Sequence, residues 1–175
     1  MDTRAAAPRT SRTLSRSVGG PVWARALIFA IPAIWLGLLT GISLIEAPLK
    51  FTAPGITIPL GLGIGRRVFF AMNMVEIALA AVLVLSLVKA LGRPRGITAG
   101  PGRLWLAGLA ATALLAIKVI AIRPFLNRRT DMVLAGIDDG GSLWHYAYVA
   151  VDGMLILTVI AMIVLAARHL LARTD

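Results

Sequence analysis

Residues 46–67 read EAPLKFTAPGITIPLGLGIGRR, and residues 68–87 continue as VFFAMNMVEIALAAVLVLSL. The second string is long enough to cross the ~30 Å hydrocarbon core of a bilayer as a helix rising ~1.5 Å per residue. Only Asn73, Glu76 and Ser86 interrupt its apolar character. An ionisable side chain inside such a segment is costly in lipid and marks a functional or a tightly partnered position. The first string is dense in Pro and Gly and reads as an apolar loop that lies on the membrane surface or re-enters the mouth of a helix bundle. Together they predict an all-α, membrane-embedded four-helix bundle, because three further runs of similar length and character flank them.

Those runs give spans at about 26–45, 68–87, 104–122 and 143–167. The composition agrees: 58% of the residues are hydrophobic and the mean hydropathy is +0.85, values that a soluble domain of this size does not sustain. Residues 1–25 are basic, small and polar and are expected to form a disordered cytoplasmic tail. A second short tail is expected at 168–175. The first apolar run exceeds a signal-peptide core and is read as a retained span. Pro124 is expected to end the third span, residues 125–135 to form a short interfacial helix, and Asp138-Asp139-Gly140-Gly141 to form a turn before a fourth helix capped by Ser142. The glycine pair Gly37 and Gly41, separated by three residues, offers a surface on which another helix can pack closely in lipid.

The net charge of +10 points to nucleic acid on a soluble chain, but here the arginines cluster at span ends and in the N-terminal tail. No aromatic-interleaved basic face exists to bind nucleic acid. With four spans both termini share a side. That side collects Arg4, Arg9, Arg12, Arg16, Arg25, Lys89, Arg93, Arg95, Arg103, Arg168 and Arg173, whereas Lys50, Arg66, Arg67, Arg123, Arg128 and Arg129 fall opposite. Eleven against six places both termini in the cytoplasm of a cell with an inner membrane, with the basic ends touching anionic lipid headgroups on the cytoplasmic side. Cysteine is absent, which excludes disulfides and thiolate chemistry.

Five polar side chains lie in the outer half of the spans: Asn73, Glu76, Lys118, Tyr148 and Asp152, roughly 6–14 Å from the predicted span ends. Asn73 and Glu76 are three apart on one helix face, and His145, Tyr148 and Asp152 form a stripe at three- and seven-residue spacing. Lys118 is the natural counter-charge to Glu76. These six residues form the expected ligand site, with Glu46, Lys50, Arg66, Arg67, Arg123, Arg129 and Asp131 as its charged rim. His145 with Glu76 and Asp152 is a weaker option for a divalent metal, since no H-x-x-x-H or similar ligand spacing accompanies it. No cofactor is predicted. The Gly61, Gly63, Gly65 run lacks the strand and the spacing of a nucleotide loop.

The strings EAPLKF, GIGRRVFFAMNMVE, RPFLNRRTDMVLAG and SLWHYAYVAVD together resemble a small four-span bacterial membrane family of uncharacterised function. The order of Ala47-Pro48, Arg66, Asn73, Glu76 and His145 is also similar to that in the transmembrane family that includes the human cisplatin-resistance-associated membrane protein. The resemblance covers about residues 26–167 and implies a four-helix membrane bundle without assigning catalytic residues. The residues themselves point to binding or passage of a small polar or cationic solute. The competing reading is structural: the same side chains lock the bundle, and the Gly37/Gly41 face recruits a second copy or another membrane protein. An enzyme acting on a lipid or quinone is the least supported reading, because no nucleophile or cofactor motif is present.

Overall fold

A computed structural model describes residues 20–94, 96–138 and 142–171. Most of the expected N-terminal tail, the end of the C-terminal tail and the Asp139-Gly140-Gly141 part of the expected turn lie outside the described residues. The chain is an all-α four-helix bundle with α1 at Val22–Thr52, α2 at Ile58–Leu91, α3 at Gly102–Leu134 and α4 at Leu143–His169. Each helix is long and apolar enough to cross a membrane, the architecture of a multi-pass membrane protein. α1 packs on α2 and α4, and α3 packs on α2 and α4. Short connections make sequential neighbours antiparallel. The bundle has a terminal end, where α1 begins and α4 finishes, and opposite it a site end.

The stretch read as a loop is mostly helix. α1 continues to Thr52 and α2 begins at Ile58, leaving only residues 53–57 to reverse the chain. Local chemistry accounts for this. The Thr57 side chain accepts a hydrogen bond from Leu60 N at 3.4 Å, and Pro59 sits in the first turn of α2, where a missing N–H costs nothing. The glycines that signal a loop serve close packing instead. A Cβ on Gly61 would stand 2.3 Å from the Phe51 ring and one on Gly65 2.9 Å from Lys50 Nζ. The small-residue pair that lets two helices meet is therefore Gly61/Gly65. Gly37 and Gly41 are exposed and have no atom of the described residues near their Cβ positions, so no described helix of this chain packs on them. Gly61→Ala should displace the Phe51 ring, which is 43% exposed, and lower stability by about 1 kcal/mol, the overpacking being partly offset by the gain in helix propensity. Thermal unfolding in detergent measures it, and an unchanged midpoint would show that the contact contributes nothing.

The third span also runs on past its predicted end. Ile117–Ile122 is a π-helical segment, and the α-helix resumes at Arg123–Leu134 with Pro124 in its first turn. Proline is tolerated there, so the expected interfacial helix is the continuation of α3 rather than a separate element. α2 has 34 residues and is ~51 Å long, well over a bilayer core. Charged side chains mark where the hydrocarbon fits: Arg67 to Lys89 on α2 and Arg103 to Arg123 on α3 are each separated by ~30 Å. The site-end parts of α2 and α3 therefore extend beyond that length.

The terminal half of the bundle is closed by Ala24, Ile28, Leu83, Leu87, Leu104, Ala111, Val159 and Met162, all fully or nearly fully buried. Gly108 lets α3 approach α2, since a Cβ there would lie 2.5 Å from Leu87 Cδ1. The few hydroxyls in this half do not reach across the bundle. Ser86, Thr112 and Thr158 each donate to the carbonyl four residues earlier at 2.7, 2.9 and 2.7 Å, which satisfies them within their own helices.

Candidate functional site

Above this apolar plug all four helices contribute to one polar network. Lys118 is completely buried and its ammonium bridges two acids, with Nζ 2.8 and 2.7 Å from the two oxygens of Glu76 and 2.7 Å from Asp152 Oδ1. Trp35 on α1 donates its indole N–H to Glu76 Oε1 at 3.0 Å, and Ser43 donates to Asp152 Oδ2 at 2.6 Å. Asn73, also fully buried, is oriented by its neighbours. Its amide nitrogen faces Glu76 Oε2 at 2.9 Å, and its oxygen accepts from Arg123 Nη1 at 2.8 Å. The Tyr148 hydroxyl lies 3.3 Å from Asn73, with its ring edge-on to Phe69. The network thus holds two anions and two cations, all with hydrogen-bond partners, which is the condition under which buried charge is tolerated.

The backbone explains how these groups converge. Asn73 and Glu76, and Tyr148 and Asp152, share helix faces at three- and four-residue spacing. Lys118 and Arg123 are five apart, which in an α-helix would direct them about 140° away from each other. The π-helical turn between them, with its i→i+5 bonding, brings both to the bundle interior. Ser43 likewise lies in a π-helical segment, Thr40–Glu46 of α1. Two of the network's side chains are therefore delivered by local departures from the α-helical repeat, which often accompany functional positions.

A cavity of about 550 Å³ opens from the site end and reaches this network. Asp152, Tyr148 and Ser43 form its polar floor. Leu44, Ala47, Phe51, Leu62, Phe69, Val149 and Ile156 supply apolar walls, and Lys50, Arg66, Arg123 and His145 stand around it. Glu76 and Lys118 lie behind the floor with no exposure. Asp152 is therefore the charged member of the triad that meets the cavity.

The expected site residues divide accordingly. Asn73, Glu76, Lys118, Tyr148 and Asp152 are brought together. His145 is exposed at the mouth, its ring against Tyr146, and stays out of the network although it lies on the same helix as Asp152. Among the described residues no group of three His, Cys, Asp or Glu side chains is placed to hold a metal, and the acids proposed as ligands already enclose Lys118. Of the expected rim, Lys50 pairs with Glu46 at 3.2 Å, Arg66 with Asp131 and Arg129 with Asp138. Arg67 is exposed. Arg123 stands at the cavity and also joins the network through Asn73, with its guanidinium over the Phe70 ring at 4.9 Å. Trp35 and Ser43 are the participants that the sequence reading left out. An indole N–H inside an apolar span needs an acceptor, and that requirement was the available signal for Trp35.

Comparison with family models, with curated proteins and with solved structures gives no match. The site is accordingly interpreted from its own geometry.

Proposed function

We propose that the protein binds, or passes, a small polar or cationic solute in the cavity above Asp152. The observation that carries this reading is the open, apolar-walled cavity ending on a carboxylate that is itself held in place by Lys118 and Ser43. Apolar walls with a few convergent polar groups are the usual make-up of a small-molecule site. The preferred ligand has a compact apolar body and one hydrogen-bond-donating or cationic head. Lys118 shapes the choice, because its ammonium occupies the place between Glu76 and Asp152 that a free cation would seek. A cationic head reaches Asp152 from the cavity side only by competing with that tethered amine. Native mass spectrometry of the purified protein tests the reading: a small molecule should remain bound, and a protein that carries none and binds no amine or polar amphiphile offered to it would contradict the reading.

A second reading rests on a different observation. Lys118 is paired with both Glu76 and Asp152, and Glu76 and Lys118 have no exposure, as expected of a lock that fixes helix register. In that role the protein is an assembly component, and its exposed faces meet another membrane protein or a second copy.

The orientation follows from charge. With both termini in the cytoplasm of an inner-membrane protein, the cavity opens to the exterior. Reporter fusions after Gly100 and after Gly136 should report cytoplasm and exterior respectively. The reverse pattern would turn the cavity toward the cytoplasm.

A further inference from the structure

A second, larger concavity of about 1050 Å³ lies between the outer parts of α2 and α3. Arg66, Arg67, Arg123 and Asn127 line it, no acidic side chain does, and Ile64 and Phe70 are among its apolar walls. Arg123 is only 9% exposed, and among the described residues no carboxylate lies within ion-pair distance of it. Of its five N–H donors, the contacts described use one, toward Asn73. Arg67 has no carboxylate within ion-pair distance among the described residues either. Arg66 shares Asp131. A nearly buried guanidinium without a counter-ion is costly, and an arginine fork matches the oxygens of a phosphate.

We infer that this groove binds the phosphate of an anionic membrane lipid. The level of the arginines selects a lipid over a free anion. Arg67 and Arg123 stand where the hydrocarbon zone ends, and Phe70, Met74 and Ile77 continue from Arg67 down one face of α2 at helical spacing. All three are exposed, at 54%, 42% and 43%. The helix thus presents a cationic head position followed by an apolar stripe, the polarity pattern of a phospholipid lying along it. The headgroup phosphate is bound by Arg67 and Arg123, and an acyl chain covers the stripe. Phe70 serves both parts, stacking under Arg123 and beginning the chain contact. This groove adjoins the cavity above Asp152 and shares Arg66, Arg123 and Asn127 with it, whereas Arg67, Ile64 and Phe70 line the groove alone.

The test uses the full-length protein, delipidated in detergent and offered phosphatidylglycerol or phosphatidylcholine, with bound lipid counted by native mass spectrometry. Phosphatidylglycerol should bind at least about tenfold more tightly, and Arg67→Gln and Arg123→Gln should each remove most of that preference. Arg67 is exposed, so its variant keeps the fold and decides the matter if Arg123→Gln does not fold. Equal binding of the two lipids would overturn the inference, as would an undiminished preference in folded Arg67→Gln. Displacement of the lipid by excess inorganic phosphate would overturn the lipid assignment in favour of a free-anion site.

Discussion

Lys118→Met should lower the unfolding free energy by about 3–5 kcal/mol, the cost of breaking a buried ion pair by removing one partner. It is the largest effect expected of a single substitution in this chain. Glu76 and Asp152 both hold oxygens within 2.8 Å of the same ammonium nitrogen, so its removal leaves two neighbouring carboxylates without a cation between them. Glu76→Gln or Asp152→Asn should each cost less, because Lys118 keeps the other acid. Adding both of these changes to Lys118→Met removes the charges together and should recover much of the loss. Denaturant or thermal unfolding of the four variants measures the order. Equal losses for Glu76→Gln and Lys118→Met, or strictly additive losses in the combined variant, would show that the lysine does not bridge the acids.

Asp152→Asn separates the two functional readings. The amide keeps the shape of the carboxylate, and Lys118 remains paired with both oxygens of Glu76, so the stability cost should be near the ~1.5 kcal/mol of one hydrogen bond to a charged group. The cavity floor, by contrast, loses its charge. A cationic ligand should then be retained about 10–100-fold less well, the equivalent of ~1.4–2.7 kcal/mol. Calorimetry or native mass spectrometry with the co-purifying molecule reads the loss. Unchanged retention accompanied by a clear fall in thermal stability is the outcome that the lock reading requires.

The fold was legible in this sequence because hydrocarbon imposes a simple demand: every span needs ~20 apolar residues and every buried charge needs a partner. Glu76, Lys118 and Asp152 stood out on that ground, and their meeting follows from the cost of leaving any of them in lipid alone. The helix ends were less legible. Glycine and proline at residues 54–65 carry the usual signals of a loop, yet the glycines make room for Phe51 and Lys50 and Pro59 stands where helices accept it. Gly37/Gly41 and Gly61/Gly65 have the same spacing, and only the three-dimensional neighbours show that the second pair serves a contact within the chain. The π-helical turns that bring Ser43 and Arg123 inward have no period a sequence reading can detect. Ser43 was therefore left out of the site, and Arg123 was read only as part of its rim. His145 shares the cavity with Tyr148 and Asp152, as the helical spacing suggests, but it lies in the first turn of α4 and stands at the exposed mouth, outside the hydrogen-bonded network.

The central claim is that Asp152 faces a cavity reached from water and not the lipid around the bundle. The chain contains no cysteine, so Asp152→Cys supplies a single thiol without further changes. In sealed vesicles this thiol should react with a water-soluble maleimide added on the face where the site end lies, and should be spared by a lipid-phase reagent. Reaction from the lipid phase alone, with none from water on either face, would contradict the account.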